Sequence, residues 1–207
     1  MVQLPRSGWR RRARRLGAGV LAILLAVATP ALARSGSGVL LNSDGTVLTA
    51  AHIFEGCTAI AVIGRDGRRM PARLLGLDPI GDLALLRIPP LPETPQARLR
   101  EDLRIGEAVE HHGFPNGTRD AGRTIRSTLQ DLKGPRHEPD SMTLAGDLRD
   151  GESGAGGFDA YGNLVGMAYG GREPTWYAVQ AGRIAEFLLL HGIPVRAYRL
   201  DICDHQP

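Results

Sequence analysis

The chain has 207 residues, 43% of them hydrophobic and 23% charged, and carries a formal net charge of +3. That length and balance suit one ordinary domain or two small halves with a real core, and they exclude an intrinsically disordered chain. The positive surplus is not a nucleic-acid signature, because Arg6, Arg10, Arg11, Arg12, Arg14 and Arg15 all precede the body of the chain, and removing residues 1–33 turns +3 into −3.

Those arginines are followed by an uncharged run, Leu16 to Ala33, that ends in "TPALA". A basic start, an apolar stretch of about a dozen residues and small residues at Ala31 and Ala33 form the pattern of a secretory signal peptide cleaved after Ala33. The apolar part is short for a membrane span, and an uncleaved amino-terminal anchor is the alternative. The expectation is an exported protein, periplasmic or extracellular, with no membrane contact after cleavage and no nucleic-acid partner.

From residue 38 short apolar runs alternate with turn signals. "GVLLN", "VLTAA", "AIAVI", "RMPARLLGLD" and "LALLRI" are separated by "SDGT", "GRDGR" and similar stretches. Runs of this length bounded by Asp-Gly turns predict antiparallel strands. Cys57 falls between two of these runs. Its only intramolecular partner is Cys203, and an oxidising compartment favours a disulfide, with two free thiols or an intermolecular pair as alternatives. No Cys/His cluster has the spacing of metal ligands.

Residues 89–96, "PPLPETPQ", hold four prolines, which prevents ladder pairing and marks a linker. A second set of strands follows in "EAVEHHGFP", "GRTIRSTLQDL", "DSMTLAGDL", "NLVGMAYG" and "TWYAVQ". Alternation along "AVEHHGF" sends one of His111 and His112 inward and the other outward. Residues 181–192 place Ile184, Phe187 and Leu188 at helical spacing with Gly192 as a stop. No internal period of 20 to 50 residues suggests a repeat architecture.

Three residues stand at strand ends or turns in the order His52 ("VLTAAH"), Asp82 ("DPIGDLALLRI") and Ser153 ("DGESGAGGF"). A serine hydroxyl is a poor nucleophile unless a base in hydrogen-bond reach takes its proton, and that base must be held in one tautomer by an anion on its other nitrogen. His, Asp, Ser is the order of two-barrel serine proteases and differs from the order in α/β-hydrolases.

The stretches 36–52, 74–88, 106–117, 146–157, 162–170 and 176–188 resemble, in order, the trypsin-like serine proteases of chymotrypsin fold, specifically the bacterial HtrA-like branch. The resemblance implies an all-β protein of two antiparallel β-barrels with a C-terminal helix. The expected organisation is a signal peptide over 1–33, one barrel half over 34–95, a second over 96–180, the helix over 181–192 and a tail over 193–207. It implies His52 as general base, Asp82 as its orienting carboxylate and Ser153 as nucleophile. Asp82 is preferred to Asp78 because it directly precedes the strand "LALLRI", where the family keeps it. The oxyanion donors would be the N–H groups of Gly151 and Ser153. Polypeptide is the implied substrate, with no cofactor and no metal.

The resemblance also places Tyr169 and Gly170 on the strand that pairs with substrate backbone, plain barrel core being the alternative. Asp147 lies where the trypsin branch binds a basic side chain, and it would otherwise point to solvent from a loop. After Ser153 the chain departs from the family, with Gly154, Ala155 and Gly156 where Gly, Gly, Pro is usual. Ala155 is either tolerated or crowds the substrate. Glu152 replaces the commoner Asp or Asn.

At the front, a further barrel strand is expected before "GSG". Either the mature barrel is short by a strand, or processing lies earlier, or the coding start is misplaced. At the back, HtrA-like proteins usually add a peptide-binding PDZ domain, and the expectation here is a member of that branch without one. The expected function is therefore an exported serine endopeptidase acting through an acyl-enzyme. The alternative is a protease-fold module that binds peptide without cutting it. An esterase of the α/β-hydrolase type, suggested by "GESGA", would need a helix after the serine and a downstream acid and histidine, for which only Asp201, Asp204 and His205 remain.

Overall fold

The computed structural model describes residues 35–57, 59–92, 94–115, 122–135, 140–194 and 196–198. The first half supplies β1 (Gly38–Leu40), β2 (Thr46–Ala50), β3 (Ile60–Ile63), β4 (Arg69–Asp78) and β5 (Leu83–Arg87). They form one antiparallel sheet in the order β1-β2-β5-β4-β3. The central pair, "TVLTA" and "LALLR", is buried along almost its whole length, as strands covered on both faces must be. The β1–β2 turn is closed by the Asn42 side chain, whose oxygen accepts the Thr46 N–H at 3.1 Å, and by Gly45 at φ +80°.

The second half supplies β6 (Arg98–Arg100), β7 (Ala108–Gly113), β8 (Arg123–Asp131), β9 (Ser141–Ala145), β10 (Gly156–Phe158), β11 (Leu164–Arg172), β12 (Thr175–Gln180) and β13 (Arg196–Tyr198), with helix α1 (Ala181–Leu190) between the last two. The run β10-β7-β8-β9-β12-β11 closes on itself through β10–β11, a six-stranded barrel. β6 and β13 extend from β11 as parallel strands. Alternation is clean along β8, where Ile125, Ser127 and Leu129 point in while Thr124, Arg126 and Thr128 point out. His111 is fully buried inside the barrel, and His112 points outward to Thr124 Oγ1 at 3.0 Å.

The chain is thus mostly β with one C-terminal helix, as the sequence predicts. The second half closes into a barrel, and the first is a half-barrel in which β1 pairs only with β2 among the described residues. Three strands, β6, β10 and β13, were not legible in the sequence. Each has three residues, too few for a period to show, and β10 runs through the glycines of "GAGGF".

One core cluster joins the halves: Leu48, Leu83 and Leu85 of the first sheet meet Leu164, Met167 and Val179 of the barrel and Ile184 and Leu188 of α1. A second, around Leu129, Met142, Leu144 and Trp176, fills the barrel. The helix ends at Leu190, two residues short of the expected bound at 192, because the chain turns at His191 and Gly192. Gly192 takes φ +67°, and the Ile193 N–H donates to Leu188 O at 2.9 Å. A buried ionic knot holds β6: Arg100, 6% exposed, pairs with Asp159 at 3.0 Å, Asp102 at 3.1 Å and Glu107.

Candidate active site

Strand β2 delivers His52 into a short 3-10 turn, His52–Phe54, at the edge of a cleft of about 350 Å³. The β4–β5 turn delivers Asp82. Asp82 has φ +50°, a left-handed backbone that is uncommon for any residue but glycine and easiest for Asp or Asn. Its carboxylate grips His52 twice, with Oδ1 accepting the His52 backbone N–H at 2.8 Å and Oδ2 lying 2.7 Å from Nδ1. A carboxylate only accepts, so Nδ1 carries the proton and Nε2 the lone pair. Asp78 is engaged elsewhere: it accepts the N–H groups of Ile80 and Gly81 and pairs with Arg183 on α1. The structure brings Asp82, and not Asp78, to His52.

Ser153 stands on the loop before β10, between two glycines of positive φ, Gly151 at +89° and Gly154 at +87°. Both need the left-handed region that glycine enters without penalty. The loop is pinned from three sides. Ser153 O accepts the Ser37 N–H at 2.7 Å, the Gly154 N–H donates to Ala168 O at 2.7 Å, and the Ser37 hydroxyl donates to Gly151 O at 3.1 Å while accepting the Phe114 N–H at 2.9 Å. Ser153 Oγ donates to Tyr169 O at 3.3 Å. Neither the Gly151 nor the Ser153 N–H donates to another described residue. Gly151 and Ser153 both line the cleft, and two backbone donors beside a hydroxyl are what a tetrahedral oxyanion would require.

The cleft is lined by His52, Gly151 and Ser153 together with Leu148, Gly170 and Gly171. Gly170 faces open space, whereas a Cβ on Gly171, at φ +148°, would collide with the Trp176 backbone. Tyr169 sits at a bulge in β11, offers its carbonyl to Ser153 and stacks its ring on Tyr177 with centroids 6.2 Å apart.

Asp147 lies outside the cleft lining. It pairs with Arg149 at 2.9 Å and Arg123 at 3.0 Å. The Arg149 hydrogen bond above all, joined by Arg123, holds its carboxyl below the usual range against an opposing desolvation. Ala155 is fully buried in the barrel core and so turns away from the substrate side. Cys57 is exposed, and Cys203 and residues 1–33 lie outside the described residues. Among the described residues no three His, Cys, Asp or Glu side chains converge as metal ligands would.

Two participants escaped the sequence reading, Ser37 and Arg123. A serine in a glycine-rich lead-in and an arginine opening a strand carry no periodic or motif signal. Only their contacts with residues 114 and more positions away (Ser37 to Gly151) and 24 to 29 positions away (Arg123 to Asp147 and Glu152) reveal them.

Residues 36–167 match the family model described as "Trypsin-like peptidase domain". A "Probable periplasmic serine endoprotease DegP-like" of Bartonella henselae is 32% identical over 138 residues, 64% of this chain and 27% of that protein. "Serine protease Rv3671c" of Mycobacterium tuberculosis is 30% identical over 163 residues, 72% of this chain and 40% of that protein. The chain therefore spans between about a quarter and two fifths of the length of these relatives. The solved active form of the Rv3671c protease superposes with a TM-score of 0.66 at 25% identity, covering 78% of this chain and 75% of that one. With that model matching well over half of the chain, the chain belongs to the trypsin-like peptidase domain family.

Proposed function

We propose that the chain is a serine endopeptidase that cleaves peptide bonds through an acyl-enzyme. The observation that carries this reading is the double grip of Asp82 on His52, at the rim of the cleft that also holds Ser153 and two uncommitted N–H groups. In this reading Ser153 Oγ attacks the scissile carbonyl carbon and its proton passes to His52 Nε2. The oxyanion is met by the N–H groups of Gly151 and Ser153, and Asp82 stabilises the imidazolium. His52 then gives the proton to the leaving amine as the C–N bond breaks. Water, deprotonated by His52, hydrolyses the ester and restores Ser153. No step needs a cofactor.

Gly170 lines the cleft with open space where a Cβ would stand, which leaves room for an extended peptide beside β11. The signal-like segment and the periplasmic naming of the Bartonella relative support export.

Fluorophosphonate labelling of the purified protein, beside Ser153→Ala and His52→Ala, tests the reading. Labelling confined to the wild type is expected. A folded wild type that takes no label would replace the reading with that of a peptide-binding module.

A further inference from the structure

Arg123 and Glu152 have no part in the reaction just described, yet they form a part-buried ionic contact at the residue preceding Ser153. Glu152 lies between Gly151 and Ser153 in the chain and is fully buried. A buried carboxylate is costly unless donors surround it. Here it has three: Arg123 Nε at 2.7 Å, Arg123 Nη2 at 2.9 Å and the Arg149 N–H at 2.7 Å. The same guanidinium reaches the far end of the loop, with Nη1 donating to Asp147 Oδ2 at 3.0 Å and Nη2 to the Asp147 carbonyl. Arg149 adds a cross-brace to Asp147 at 2.9 Å.

The anchor of this brace is rigid. Arg123 opens β8 of the closed barrel and pairs in register with Gly113 of β7. Gly113 leaves the room that Glu152 occupies, since a Cβ there would stand 2.9 Å from Glu152 Cγ. The loop it steadies contains Gly151 and ends at Gly154, residues that add backbone freedom instead of removing it. One planar fork with several fixed donors is suited to the task, where a point charge is not.

We propose that Arg123 is a positioning residue for catalysis: by clamping Glu152 and Asp147 it holds residues 147–152 so that the Gly151 and Ser153 N–H groups are aimed at the oxyanion. This rests on the proteolytic reading above. The clamp acts on the transition state and not on substrate binding, so its loss lowers kcat and leaves KM nearly unchanged.

The test uses the full chain with fluorescent casein as substrate, fluorophosphonate labelling, and circular dichroism with thermal melting. The variants are Arg123→Lys, the double variant Arg123→Gln/Glu152→Gln, which leaves no unpaired buried charge, and Arg100→Gln. The last breaks a buried ionic knot away from the cleft and serves as a control for stability alone. The double variant is expected to fold, with KM within about threefold and kcat lowered on the order of 10²- to 10³-fold, the loss of one oxyanion donor setting the scale. Arg123→Lys should fall between it and the wild type. Arg100→Gln should melt earlier but keep its kcat.

Wild-type kcat in a folded Arg123 variant, or a loss no larger than that of Arg100→Gln at matched melting temperature, overturns the proposal. If the double variant does not fold, Arg123→Lys decides by the same criteria. A wild type that neither labels nor cuts casein overturns the proteolytic reading and the clamp together. A wild type that does both, with variants equal to it, overturns the clamp alone.

Discussion

Asp82 fixes His52 through both carboxylate oxygens, at 2.8 Å to the backbone N–H and 2.7 Å to Nδ1, from a backbone held at φ +50°. Unfavourable backbone geometry at a residue that orients a base is where strain is expected to collect. Asp82→Asn keeps the shape and tolerates the same φ, but its amide can present N–H to Nδ1 and favour the wrong tautomer. It should lower kcat by about 10⁴-fold, the scale of the corresponding change in chymotrypsin-like enzymes, with melting shifted by a few degrees at most. Steady-state rates beside a thermal melt check this.

Ser153→Ala removes a hydroxyl whose bond to Tyr169 O is long at 3.3 Å. Folding stability should be almost unchanged, while kcat should fall on the order of 10⁶-fold, as triad knockouts do in subtilisin. Retained casein hydrolysis would remove Ser153 from the mechanism.

Two glycines beside the cleft should respond in opposite ways. A Cβ on Gly154 would collide with the Ser37 carbonyl and lie against Thr49 Oγ1, at a φ of +87°. Gly154→Ala should therefore cost more than about 2 kcal/mol of stability, from strain and backbone displacement together. Gly170 has nothing within 4 Å of its would-be Cβ. Gly170→Ala should melt like the wild type but raise KM for peptides by narrowing the cleft. Denaturant titrations and a KM comparison separate the two effects.

Acid should weaken the fold through His111. Burial pushes its imidazole down to about 3, with the nearby Ala155 backbone opposing only in part. The ring stands edge-on to Trp176 at 4.2 Å. In the unfolded chain the same group titrates near 6.5, so below that pH the unfolded state binds the extra proton. The stabilisation is complete above about pH 6.5 and is lost as pH falls toward 3, on the order of a few kcal/mol over that window. Urea unfolding at pH 7.5 and 4.5 should show a smaller loss for His111→Leu than for the wild type. Equal losses would refute the assignment.

Much of the protein was legible locally. Period-two alternation in "TIRSTLQ" and "AVEHHG", Asp-Gly turns, the helical spacing of Ile184, Phe187 and Leu188, and the order His52, Asp82, Ser153 are written in neighbouring residues, because side-chain direction and turn geometry are set by the nearby backbone. The sequence by itself determined the β class, the C-terminal helix and the residues to inspect. Tertiary structure alone decided which partners they have. It gave Asp82 to His52 and Asp78 to Arg183, and it turned Ala155 into the core. It tied Asp147 to Arg123 and Arg149, and it closed the barrel through the three-residue strand β10. Those choices depend on charges and strand edges distant in sequence meeting in space. The energy that selects them, ion pairing and ladder closure, exists only once the chain has folded.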